Sequence, residues 1–169
     1  LGGQGISMLV PTLLEMGTEE QKRQFIAPTL RGETIWCQGY SEPGAGSDLA
    51  SLACKAERDG DEWIITGQKV WTTWAHLADF GVLLARTDPS ATKRKGITYF
   101  LIDLHQAGVD VRALPHITGE IDFNSSARVE PRFDVGEVHA RVLVAKIADV
   151  ELDEVEQLLL LRRRERRDR

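Results

Sequence analysis

Apolar residues crowd the stretch from Ile6 to Met16, which Gly17 closes and Pro11 interrupts, so the pattern predicts a short or kinked buried helix. Thr18-Glu19-Glu20-Gln21 follows in the form of a capping box: the Thr18 hydroxyl meets the Gln21 N–H, and the two acids complement the helix dipole. A second helix is expected to about Leu30, ended by Arg31-Gly32-Glu33, and the pair reads as the tail of a longer helical region. From Thr34 the pattern turns to β. Leu52 to Arg58 and Glu62 to Trp71 flank Asp59-Gly60, a hairpin signal because glycine accepts positive φ and aspartate tolerates it. Further strands are predicted at Phe80 to Arg86, Ile97 to Asp103 and Val109 to Leu114, separated by turn-forming segments. The expected class is α+β, two short helices followed by a compact barrel or sandwich. In the last third, Glu137 to Ile147 suits a strand. Val150 to Arg169 has acids first, Leu158-Leu159-Leu160-Leu161 in the middle and arginines last, which favours a C-terminal helix.

Composition narrows the classes of function. At 169 residues, 42% hydrophobic and 28% charged, the chain has the balance of a globular protein with one sizeable core. A formal net charge of -5 argues against general binding to nucleic acid or anionic membranes, since both would repel it at long range. The six arginines between Arg162 and Arg169 are the one basic cluster, interleaved with Glu165 and Asp168, and read as a solvated helix end. Cys37 and Cys54 lack both metal-ligand spacing and the density of a disulfide scaffold, so buried free thiols in a reducing compartment are expected. No apolar run has the length of a membrane span, and the start lacks a basic leader and an initiator methionine. The chain is therefore read as cytoplasmic and cut at its N-terminus. His76, His105, His116 and His139 show no metal-ligand spacing, and no metal is expected.

The chemistry concentrates in Trp36-Cys37-Gln38-Gly39-Tyr40-Ser41-Glu42-Pro43-Gly44-Ala45-Gly46-Ser47-Asp48 and, some twenty residues on, Gln68-Lys69-Val70-Trp71-Thr72-Thr73. The first runs from a strand into a turn whose hydroxyls and glycine-rich N–H groups can face a polar cofactor; the second sets an indole beside two hydroxyls. Gly44-Ala45-Gly46 is not a dinucleotide fingerprint, because Leu49 stands where the third glycine should fall and the surroundings are β. Together with Gly17-Thr18-Glu19-Glu20-Gln21-Lys22, Gly32-Glu33, Asp59-Gly60-Asp61-Glu62-Trp63 and Leu83-Leu84-Ala85-Arg86-Thr87, these segments resemble the acyl-CoA dehydrogenase family over roughly Gly5 to Asn124.

That resemblance implies an FAD-dependent enzyme that oxidises the α,β C–C bond of an acyl-CoA thioester to enoyl-CoA, by α-proton abstraction and hydride transfer to flavin N5. It divides the chain into the end of an N-terminal helical domain (1–33), a flavin-site β-barrel middle domain (34–124) and a divergent tail (125–169). It assigns Gln38, Gly39, Tyr40 and Ser41 to the isoalloxazine edge, with Ser41 where the family most often has threonine, able to donate a hydrogen bond toward N5. Ser47 matches a position serving the flavin pyrophosphate or the pantetheine arm of the substrate. Trp71 matches an indole packed on one flavin face, and Thr72 and Thr73 accompany it against the ring. Trp63 and Trp74 are read as ordinary β-hairpin positions. The implied partners are an acyl-CoA substrate, an electron-transfer flavoprotein or similar acceptor, and further copies of the full-length chain in a homo-oligomer. The family's catalytic glutamate lies on a C-terminal helical bundle, and no residue here matches it. Glu151, Glu154 and Glu156 are no substitutes by motif. After Asn124 the family's strand gives way to Ser125-Ser126-Ala127-Arg128-Val129-Glu130, as a frameshift, a gene fragment or a genuine alternative tail would each produce. The rival reading is a non-catalytic or degenerate flavin-fold module that acts by binding a partner.

Overall fold

The computed structural model describes residues 3–60, 62–92, 94–114 and 128–132. A π-helical turn at Gly5–Leu9 leads directly into α1 (Val10–Met16), with the Val10 N–H reaching back to the Gly5 carbonyl. Pro11 supplies the reason for the irregularity: it has no N–H to donate and its ring crowds the carbonyl four residues earlier, so the preceding turn widens. Helix α2 (Glu19–Arg31) begins with the predicted capping box, Gln21 N donating to Thr18 Oγ1 at 3.2 Å and Thr18 N to Gln21 Oε1 at 2.8 Å. Gly32 ends it with φ +71, a left-handed conformation that glycine adopts without a Cβ clash.

The strands are β1 (Trp36–Gly39), β2 (Lys55–Asp59), β3 (Glu62–Thr66), β4 (Phe80–Arg86), β5 (Ile97–Asp103), β6 (Asp110–Leu114) and β7 (Arg128–Arg132). Strand β4 is the hub of a five-stranded mixed sheet. Along one edge it carries β1 in parallel, with Gln38 opposite Val82, and further along β2, where Lys55 meets Arg86; β5 runs antiparallel along the other edge. The β2–β3 hairpin turns at Gly60, φ +59, as Asp59-Gly60 predicted. Strand β6 pairs antiparallel with β7, placing a strand beyond the expected boundary at Asn124. The predicted strand at Glu137 to Ile147 and helix at Val150 to Arg169 lie outside the described residues.

Burial follows the two-residue period of the strands. Val82, Leu84, Tyr99 and Leu101 face the helices and pack with Leu9, Leu13, Phe25 and Trp36, whereas Leu83, Ala85, Phe100 and Ile102 face Cys37, Cys54, Ala56 and Ile65 on the other side. Because both faces are covered, β4 and β5 read as continuous apolar runs instead of alternating ones. The helices are keyed to the sheet by Trp36, whose Nε1 donates to Thr29 Oγ1 at 2.9 Å and whose ring stacks on Phe80 at 5.1 Å with Phe25 edge-on at 5.4 Å. No helix among the described residues is long and apolar enough to cross a membrane.

Candidate functional site

The two segments singled out by their chemistry meet at the end of β1. Past Gly39 the chain leaves the sheet, and Glu42 and Ala45 exchange main-chain hydrogen bonds of 2.8 and 3.1 Å around Pro43-Gly44, closing the tight turn that these residues predict. Val70 N donates to the Ser41 carbonyl at 2.9 Å, so Ser41 lies one residue from Trp71 despite the thirty positions between them. The predicted strand Glu62 to Trp71 stops short of this meeting point: β3 ends at Thr66, and 67–71 reach the turn outside the named strands.

Trp71 and Trp74 both have positive φ, +59 and +72. For an L-residue this conformation brings Cβ against its own carbonyl and costs roughly 1–2 kcal/mol. Trp71 holds its indole half in solvent, 51% exposed, although a tryptophan gains by burial. Strain and an exposed indole coincide at Trp71, a combination that recurs at functional sites. Thr72 is turned inward, its hydroxyl buried without a hydrogen-bond partner among the described residues, while Thr73 is half-buried and its N–H donates to the Trp71 carbonyl at 3.1 Å. Of the threonines, Thr73 is the one that retains access to the surface.

The predicted flavin edge divides in the same way. Gln38 and Ser41 are half-buried. Gly39 is buried, with the Lys69 stem and Leu83 so close that a Cβ would lie 3.5 and 3.1 Å from them. The Tyr40 ring is part of the core beside Tyr99, their centroids 6.3 Å apart, and burial pushes both phenols above their usual range. Gly39 and Tyr40 are thus both buried, and the Tyr40 carbonyl accepts from Lys69 Nζ at 3.1 Å. Gly44, Gly46 and Ser47 are exposed, and a Cβ on either glycine would meet nothing within 4 Å. Exposed glycines with open space about them, a half-buried hydroxyl and an exposed indole are the close-approach surface, the polar group and the apolar plate that the phosphates and ring of a flavin dinucleotide need. The residues fit FAD.

Beneath this surface lies a pair that the motif reading passed over. Lys69, fully buried, donates from Nζ to Glu42 Oε1 at 2.7 Å and to the Tyr40 carbonyl at 3.1 Å. Glu42, also buried, accepts from Cys54 N at 2.9 Å and Ala53 N at 2.6 Å. The sequence did hold a signal: alternation from buried Ile65 carries positions 67 and 69 onto the same inward face, and an inward lysine demands an inward anion. On the far side of the loop Arg86 Nη2 donates to the Ala50 carbonyl at 2.7 Å, pinning a 3-10 turn at Leu49–Ser51. Cys37 and Cys54 are buried free thiols, as expected, and burial pushes them up to about 12 and about 11, away from nucleophilic chemistry.

Known proteins agree with this geometry. The model for the middle domain of acyl-CoA dehydrogenases matches residues 37–130, running past the expected divergence at Asn124. The chain is 60% identical to acyl-CoA dehydrogenase FadE34 of Mycobacterium tuberculosis over 114 residues, which make up 68% of this chain and 16% of that protein. Among solved structures, the Tcur3481-Tcur3483 steroid ACAD superposes with a TM-score of 0.73 at 32% identity, covering 94% of this chain and 41% of that one. A glutaryl-CoA dehydrogenase from Mycobacterium smegmatis in complex with FADH2 does so with a TM-score of 0.73 at 28% identity, over 91% and 37%. Helices, sheet and site thus define a chain that belongs to the acyl-CoA dehydrogenase family. It spans less than half the length of each of these relatives.

Proposed function

We propose that this chain supplies the flavin-facing part of an acyl-CoA dehydrogenase. The observation that carries the proposal is the meeting of Ser41 and Trp71 through the 2.9 Å bond from Val70 N to the Ser41 carbonyl, with the exposed residues Gly44, Gly46 and Ser47 alongside. When bound, FAD supplies the hydride acceptor for oxidising the α,β C–C bond of an acyl-CoA thioester to enoyl-CoA. Ser41 and Gln38 would offer polar groups to the ring edge, Trp71 and Thr73 would cover one face, and the turn from Gly44 to Ser47 would take a phosphate or the pantetheine arm. The indole plate excludes water from that face, which strengthens each hydrogen bond made to the ring.

No described residue is assigned as the base for the α-proton. Glu42, the buried acid beside the site, is spent on Lys69 and two main-chain N–H groups. The reading extends to an acyl-CoA substrate, an electron-transfer flavoprotein or similar acceptor, and assembly with further copies of the full-length chain. Titrating the chain with FAD and following flavin absorbance after gel filtration tests the cofactor assignment. Retained FAD, lost in a Trp71→Ala variant, is the expected result. Colourless protein at saturating FAD would refute it and favour a binding module with a flavin-site fold. Anaerobic addition of acyl-CoAs to the loaded chain should leave the flavin band unbleached, and substrate-dependent bleaching would show that a base had been missed.

A further inference from the structure

A buried ion pair is weak evidence for stability, because desolvating both charges costs about as much as their attraction returns, and apolar residues of similar volume often serve as well. The Glu42–Lys69 pair therefore calls for an account in terms of what it holds. Nζ of Lys69 reaches the Tyr40 carbonyl at 3.1 Å on one side of Ser41 and the Glu42 carboxylate at 2.7 Å on the other. The next residue, Val70, takes the Ser41 carbonyl itself at 2.9 Å, and the residue after that is Trp71. Three consecutive acceptors around Ser41 are thus held by two consecutive residues that lead into Trp71. Glu42 is anchored in turn by the N–H groups of Ala53 and Cys54 at the entry to β2. The Lys69 stem runs beside Gly39, where an added Cβ would stand at ordinary contact distance from it, 3.5 Å, and tighter against Leu83, 3.1 Å.

We propose that Glu42 and Lys69 are positioning residues, a buried electrostatic clasp that sets the distance between the Ser41 main chain and the Trp71 turn. The turn is strained at Trp71 and Trp74 and holds the Trp71 indole half in solvent, a conformation that persists only where the surrounding structure holds it. A buried ammonium with two hydrogen bonds, one of them a 2.7 Å bond to a carboxylate, is a stiffer tie than methylene packing, and its directionality fixes orientation as well as distance. A cofactor site tolerates displacements of only about 0.5 Å. The consequence for FAD rests on the flavin reading above; the clasp itself does not.

The test compares the wild-type chain with the Glu42→Gln/Lys69→Met double variant, which removes both charges without stranding either one. Glu57→Gln/Lys55→Met, which removes an exposed pair 3.1 Å apart, is the control. Amide exchange at Val70 is measured against amides of β4 and β5 in the same protein, and FAD affinity by fluorescence titration. The double variant should exchange Val70 at least about tenfold faster with the strand amides unchanged, and should bind FAD at least about tenfold more weakly; the control should do neither. Val70 exchange that keeps its wild-type ratio to the strand amides would overturn the proposal. A double variant that does not fold would also overturn it, by making the pair a determinant of folding instead of local position. If the wild-type chain takes up no FAD, the flavin reading fails, and the exchange ratio alone decides on the clasp. Unchanged FAD affinity beside faster Val70 exchange would overturn the link between clasp and cofactor.

Discussion

Gly67 is the residue at which the β2–β3 hairpin turns into the segment carrying Lys69 and Trp71, and it has no room for a side chain. A Cβ built there lies 2.7 Å from each of Cys54 Cα, Cβ and Sγ, about 0.7 Å inside ordinary van der Waals contact. One of the three atoms is main chain and cannot rotate away. Cys54 is further held by its N–H bond to Glu42 and by its carbonyl, which accepts from Arg86 N at 2.8 Å. Gly67→Ala should therefore force the two segments apart. Overpacking of this kind costs about 1–3 kcal/mol, and an obstructing main chain argues for the upper half. The backbone of Gly67 lies outside the left-handed region, so alanine fits its φ and recovers about 0.4–1 kcal/mol through the unfolded state. The net expectation is a loss of about 1–2 kcal/mol, read as a lowered urea midpoint at unchanged slope, or about 2–4 °C in Tm per kcal/mol for a chain of this size. Adding Cys54→Gly removes two of the three clashing atoms, so the double variant should lose less than the sum of the singles, with a coupling of about 1 kcal/mol. A Gly67→Ala protein as stable as wild type, or strict additivity with Cys54→Gly, would refute the reasoning.

Three other outcomes follow from the same structure. Trp71→Asn keeps a residue that tolerates left-handed backbone, so it should change stability by no more than about 0.5 kcal/mol while weakening FAD retention; a large loss of stability would make Trp71 a core residue. The thiols of Cys37 and Cys54 are raised from 9.0 to about 12 and about 11 in the folded chain, so their contribution is complete below pH 9 and is lost as pH rises toward the folded values. Each should steepen alkaline destabilisation by up to roughly 1.4 kcal/mol per pH unit, and a urea midpoint flat from pH 9 to 10.5 would contradict this. Thr18→Ala removes one half of the capping box at the start of α2 and should cost about 1 kcal/mol by denaturant unfolding, with no change expected in FAD binding.

Elements whose causes are local were legible in the chain. The capping box at Thr18, the break at Pro11, the hairpin at Asp59-Gly60 and the spans of β4 and β5 each follow from a few neighbouring residues, and each lies where the pattern put it. The resemblance likewise identified both halves of the candidate site. Which groups in those halves face outward depends on the packing of the whole chain. Tyr40 and Thr72 belong to the cofactor motifs, yet one ring packs beside Tyr99 and one hydroxyl turns inward, because burial depends on what the rest of the chain stacks against each face. The pairing of Lys69 with Glu42 spans 27 positions, and the left-handed turn at Trp71 and Trp74 goes against the preference of the residues that adopt it. The pair exists because β4 collects β1 and β2 along one edge, which brings the end of β1 and the entry to β2 close enough for one carboxylate to bind them together.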